Sequence, residues 1–172
     1  MASPEAKIFI TFDDHIAAEQ ATEWYLNNCY HPEHHLTFFH LNVVKSNDNE
    51  EHIKEAQTKV NNIETNIKKI VEKHQIKDNY EIKIQKAEYT LDKKDVFDKE
   101  KRVGGEIIAE IEKAGAEMVI MGCKFNMKSY LGSVSEYIVK NTHCVCLIKK
   151  FKEPESNEFD PRYALWGKGK KL

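Results

Sequence analysis

Apolar residues along this chain fall into two kinds of run, short and nearly continuous, or stepped by three and four. Residues 7–12, KIFITF, are continuous and rich in β-branched and aromatic side chains, which predicts a strand. Asp13 and Asp14 follow, and they suit a strand end and a helix N-terminus. Ala17, Ala21 and Trp24, with Ala18 and Tyr25 beside them, then recur at helical spacing. Residues 36–44, LTFFHLNVV, are nearly all apolar, as in a strand covered on both faces. Ile53, Ala56, Val60, Ile63, Ile67 and Ile70 form one stripe among charged positions and predict a long amphipathic helix. Residues 80–87, YEIKIQKA, alternate polar and apolar and read as an edge or half-exposed strand. Residues 88–102 are too charged for a strand and hold no clean period, so an insertion, a loop or an irregular helix start is expected. Ile107, Ile108 and Ile111 mark a third helix that ends near Gly115. EMVIMG, SVSEYIVKN and HCVCLIKK then read as strand, helix and strand.

Five strands alternating with four helices require parallel pairing, because right-handed crossovers place helices on both faces of one sheet. The expected class is α/β, a doubly wound parallel sheet. Ligands of such sheets bind beyond the carboxyl ends of the strands, where the strand order reverses. Three stretches stand at strand ends: Thr11-Phe12-Asp13, His40-Leu41-Asn42 and Met121-Gly122.

Composition narrows the function classes. The length, 172 residues, suits one domain with a substantial core. A net charge of −2 gives no reason to expect a broad nucleic-acid or membrane surface. No apolar run approaches the roughly 20 residues of a membrane span. The opening MASPEAKIF lacks the apolar stretch of a secretory signal, and the four cysteines contain no C-x-x-C pair. Cys144 and Cys146 share one face of a strand and read as small core residues. A reduced, cytoplasmic protein is therefore expected. Residues 151–172 carry two prolines, several charges and the aromatics Phe159, Tyr163 and Trp166, and read as a C-terminal tail on a domain of residues 1–150.

The candidate chemistry gathers around Gly132-Ser133-Val134-Ser135, which opens the fourth helix. Ser133 and Glu136 have the spacing of a capping box. A glycine at such a turn lets amides point inward, a helix N-terminus favours an anion, and two serine hydroxyls can donate. Cys29, His31, His34 and His35 lie close in sequence but around Pro32, and are read as a solvated loop, not a metal site. His40 is read as a core histidine with its hydrogen bonds satisfied. No nucleophile elbow, Walker lysine or zinc-protease motif is present, so no dedicated enzyme is expected.

Together KIFITFDD, LTFFHLNVV, GGEIIAEIEKAGAEMVIMG and GSVSEYIVKNTHCVCLIKK resemble the corresponding blocks of the universal stress protein family, from Lys7 to Lys150. The resemblance implies a Rossmann-like five-stranded sheet in the order 3-2-1-4-5. It implies ATP or another adenine nucleotide as ligand, with or without Mg. Asp13 would contact the adenine and Leu41 would line its pocket. Gly122 would let the backbone approach ribose and phosphates, and Gly132, Ser133, Val134 and Ser135 would hold the phosphates. It also implies a homodimer through the edge strand, residues 143–149. Nucleotide-binding members carry two glycines three apart after strand four, then nine residues, then Gly-Ser or Gly-Thr. We align Gly122 with the first glycine, because the other register places that glycine at Val119, inside an apolar strand. The loop is then three residues short and Phe125 stands where the second glycine belongs. The functional expectation is a cytoplasmic stress-response protein that binds an adenine nucleotide as a regulatory ligand. The alternative is a nucleotide-free dimeric scaffold of the same fold. A third expectation, ranked below both, is an enzyme that transfers an adenylyl group or hydrolyses a phosphate.

Overall fold

The computed structural model describes residues 5–45, 49–89, 96–124 and 132–151. Five strands, β1 (Lys7–Thr11), β2 (His35–Lys45), β3 (Tyr80–Tyr89), β4 (Met118–Lys124) and β5 (Val145–Phe151), alternate with four helices, α1 (Ile16–Asn28), α2 (Glu50–Lys73), α3 (Val96–Ala114) and α4 (Ser133–Asn141). The strands form one sheet in the order β3-β2-β1-β4-β5, with every pair parallel. The order reverses between β1 and β4, as a doubly wound sheet requires.

Strand periodicity divides the core into two layers. Ile10, Phe38 and Ile120 face one side and pack with Tyr25 of α1 and Ile63 and Ile67 of α2. Their chain neighbours Phe9, Phe39, Val119 and Met121 face the other side and pack with Ile107 and Ile111 of α3 and Ile138 of α4. Both faces of the central strands are thus covered, which is why these segments read as continuous apolar runs. The charged outer strand β3 lies at one edge, as its alternating pattern predicts, and β5 lies at the other. Gly115 closes α3 with a φ of 62°, a left-handed turn that glycine adopts without steric cost.

Several expectations are corrected. Of the readings offered for 88–102, a helix start holds from Val96, where α3 begins, while Glu88 and Tyr89 instead complete β3 and 90–95 lie outside the described residues. The apolar period of Val103, Ile107 and Ile111 extends that helix backwards through charged residues. The α2 stripe is buried only in its second half, at Ile63, Ile67, Ile70 and Val71, whereas Ile53 is 52% exposed. At about 1.5 Å per residue a helix this long overhangs the strands it covers. In α1 the buried face is Ala17, Ala18, Ala21, Thr22, Tyr25 and Leu26, and Trp24 lies at its margin, 37% exposed, with the Lys149 ammonium 5.9 Å from its ring centroid. The histidine-rich loop is less solvated than expected. His34 is buried, and its Nδ1 lies 2.6 Å from the Tyr25 hydroxyl and accepts from the His31 amide at 3.2 Å. The tail expected at 151–172 lies outside the described residues except for Phe151, the last residue of β5.

Candidate functional site

A cavity of about 240 Å³ opens where the strand order reverses, at the carboxyl ends of β1, β2 and β4. Asp13, Leu41, Gly122, Val134 and Ser135 all line it. These residues are scattered over more than a hundred positions, and parallel pairing brings them together beyond the end of β1; Leu41, expected at a strand end, lies instead within β2, two residues past Phe39, the partner of Thr11. Gly132 and Ser133 stand next to Val134 as the N-cap and first residue of α4, and both are exposed.

The acidic end is built by a chain of short-range hydrogen bonds. Asp13 Oδ1 accepts from the His15 amide at 3.0 Å, and His15 Nδ1 accepts from the Ala17 amide at 3.1 Å. His15, not Asp13 or Asp14, is therefore the N-cap of α1. Asp14 instead reaches across to Lys59 of α2, 3.9 Å away.

The opposite end is the start of α4. Ser133 was expected to cap this helix and does not. Gly132 is the N-cap, among the described residues no side chain caps the first turn, and Glu136 engages Lys140 at 2.6 Å in place of a capping box. Ser133 stands one position too far along, inside the helix, so its hydroxyl cannot take the cap role. The first-turn amides of α4 are thus left without a side-chain cap, which is the arrangement that attracts an anion.

Gly122 is corrected in position. It does not follow β4 but lies within it, opposite Lys149 of β5, and the strand continues to Lys124. A Cβ there would sit 2.2 Å from the carbonyl carbon and oxygen of Ala17 and 2.4 Å from the Ala18 amide nitrogen. The missing side chain lets the first turn of α1 rest directly on β4. Phe125 and the shortened loop lie outside the described residues.

The cavity also takes residues that the sequence reading did not assign to it: Thr11, Phe12, His40, Val103 and Ile107. Thr11, Phe12 and His40 belong to the strand-end stretches already singled out. Val103 and Ile107 carry no signal in sequence, because which face of α3 meets the strand ends depends on how the helix packs. Gly104 helps set that packing: a Cβ on it would lie 2.5 Å from the Tyr137 ring of α4, so the bare backbone lets the two helices approach. His40 Nδ1 lies 2.9 Å from the Phe12 carbonyl oxygen. Burial pushes its pKa below the usual histidine value, opposed by the Phe12 hydrogen bond and by Asp14, and Lys59 lowers it further. Among the described residues no three His, Cys, Asp or Glu side chains are grouped to hold a metal ion, and no helix is long and apolar enough to cross a membrane.

A five-stranded parallel sheet in this order, with a crevice at its switch point, defines a doubly wound, Rossmann-like α/β protein. The model of the universal stress protein family matches residues 6–150, and the chain belongs to that family. No curated protein matches the sequence. Among solved structures the chain is similar to the universal stress protein UspA from Lactobacillus plantarum, with 12% identity and a TM-score of 0.56 over 85% of this chain and 98% of that one. It is similar to a family protein from Arabidopsis thaliana with AMP bound, at 16% identity and a TM-score of 0.55 over 89% of this chain and 96% of that one. A universal stress protein in complex with cAMP is comparable, at 11% identity and a TM-score of 0.54 over 86% of this chain and 98% of that one. At such identities the likeness is one of fold.

Proposed function

We propose that this protein binds an adenine nucleotide, ATP or AMP, at the switch-point crevice as a regulatory ligand in a stress response. The observation that carries this reading is the single cavity joining Asp13, Leu41, Gly122, Val134 and Ser135 next to a helix start without a side-chain cap. Asp13 and Leu41 take the base, and Leu41 supplies an apolar wall on the α3–α4 side. The phosphates lie at Gly132, Ser133, Val134 and Ser135, where backbone amides and two hydroxyls donate. The two structural neighbours solved with AMP and cAMP support an adenine ligand for this fold. The described walls enclose somewhat less than the roughly 300–1,000 Å³ of small-molecule sites, which fits the nucleoside part of the ligand better than the whole.

The reading is of a cytoplasmic binding protein and not an enzyme. Such a ligand acts by binding one conformation more tightly than another. The protein works as a homodimer through residues 143–149.

Mass spectrometry of small molecules released from the purified protein is expected to find ATP or AMP, and titration calorimetry to show binding. Gly132→Val is expected to abolish it. A Cβ at Gly132 would meet no described atom within 4 Å, so the loss is expected to report on ligand space. No released nucleotide and no heat up to millimolar ATP and AMP would overturn the reading in favour of the nucleotide-free scaffold.

A further inference from the structure

His40 stands out as a polar group in the crevice with one nitrogen committed and the other not. Its Nδ1 is 2.9 Å from the Phe12 carbonyl oxygen. A carbonyl can only accept, so Nδ1 carries the proton, and in the neutral ring Nε2 is an acceptor. Among the described residues Nε2 has no hydrogen-bond partner, and no side-chain nitrogen or oxygen is fully buried without one. Nε2 therefore keeps contact with open space, and His40 is part of the cavity wall. Strand alternation puts its ring on the α1–α2 side of β2, with Phe38, and puts Leu41 on the α3–α4 side. The two consecutive residues thus reach the cavity wall from opposite faces of β2, just beyond the level where β1 ends.

Building on the adenine-nucleotide reading above, we infer that His40 determines base specificity: its Nε2 accepts a hydrogen bond from the exocyclic amino group of the bound adenine. The charged groups around the ring are consistent with a neutral imidazole in that role. Asp14 favours the charged ring and Lys59 of α2 opposes it, the two forming an ion pair with each other at 3.9 Å, while Asp13 on the cavity wall is already accepting from the His15 amide. Burial tips the balance toward the neutral form. Protonation turns Nε2 from acceptor to donor, so the contact is lost as pH falls through the folded pKa of His40, which lies below the ordinary value.

The test compares AMP with purine riboside 5′-monophosphate, which has hydrogen in place of the amino group and is otherwise identical. The wild-type chain is expected to bind AMP about tenfold more tightly at pH 7.5. In His40→Leu the two ligands are expected to bind within about twofold of each other. In the wild type the AMP preference is expected to shrink toward unity as the pH falls below the ordinary histidine range. Both ligands carry the same phosphate, so its own titration cancels in the ratio. Because His40→Leu also removes the hydrogen bond to Phe12, a wild-type measurement stands beside it: nitrogen-15 NMR of the His40 ring is expected to show a proton on Nδ1 and none on Nε2 at pH 7.5. A protonated Nε2, or an AMP preference that is absent in the wild type or survives in His40→Leu, overturns the inference while leaving nucleotide binding intact. Failure of both ligands to bind at millimolar concentration overturns the adenine reading itself, and the inference with it.

Discussion

Two glycines show how much a missing side chain decides at the residue scale. Gly104 lets Tyr137 lie against α3, and Gly122 lets the backbone of α1 lie against β4. The two cases differ in what would have to move. At Gly104 a new methyl group meets a side-chain ring, which can turn. At Gly122 it meets backbone atoms of Ala17 and Ala18 at 2.2 to 2.4 Å, and a helix cannot turn out of the way. Gly122→Ala is therefore expected to destabilise the protein by about 1–3 kcal/mol, read as a lowered denaturant midpoint. Unchanged stability would show that α1 is free to lift from β4. In sequence this glycine looks like a ligand-approach position, because its motif context is the visible signal. Its contact with α1 depends on two segments a hundred residues apart and left no trace in the local pattern.

At the scale of elements, the sequence period located every helix and strand core. It did not tell which part of each stripe would be covered. The α2 stripe runs unbroken from Ile53 to Ile70, yet Ile67 is fully buried and Ile53 is 52% exposed. Periodicity reports that a face is apolar, while burial depends on where the sheet beneath it ends. Ile67→Ala is expected to cost about 2–5 kcal/mol and Ile53→Ala well under 1 kcal/mol, compared by urea unfolding. Equal costs would mean that Ile53 is covered in solution. The α4 start is a second case. The Ser133–Glu136 spacing satisfies the capping-box pattern, but the helix begins one residue earlier than that box requires, with Gly132 as N-cap. A shift of one residue is small in sequence, yet it puts a glycine, which has no side chain to bond the first-turn amides, at the cap.

For the whole molecule, the open question is its edges. Among the described residues β5 has a hydrogen-bonding partner on one side only, and its flank exposes Val145 at 61%, with Val139 of α4 at 37%. An apolar edge strand with unpaired amides and carbonyls invites a second strand, and a two-fold axis lets it meet its own copy without further growth. Light scattering is expected to give a dimer for the full chain and for a chain ending at Lys152. Monomers in both cases would refute pairing through 143–149. A monomer that dimerises on truncation would show residues 153–172 covering the edge.

By itself the sequence determined the class of fold, the order of elements and the end of the sheet where the switch-point cavity opens. Those follow from periodicity: continuous apolar runs such as LTFFHLNVV pair inside a parallel sheet, and stepped stripes such as Ile63-Ile67-Ile70 cover it. It also marked Asp13, Leu41, Val134 and Ser135, which line one cavity, although Leu41 lies within β2 and not at its end. Only the tertiary structure decided that His40 reaches the crevice with Nδ1 committed to Phe12, that Val103 and Ile107 wall it, and that Gly122 faces a helix. Each of these depends on distances between segments remote in the chain. A local pattern fixes which way a residue points on its own element, and packing alone fixes what it meets there.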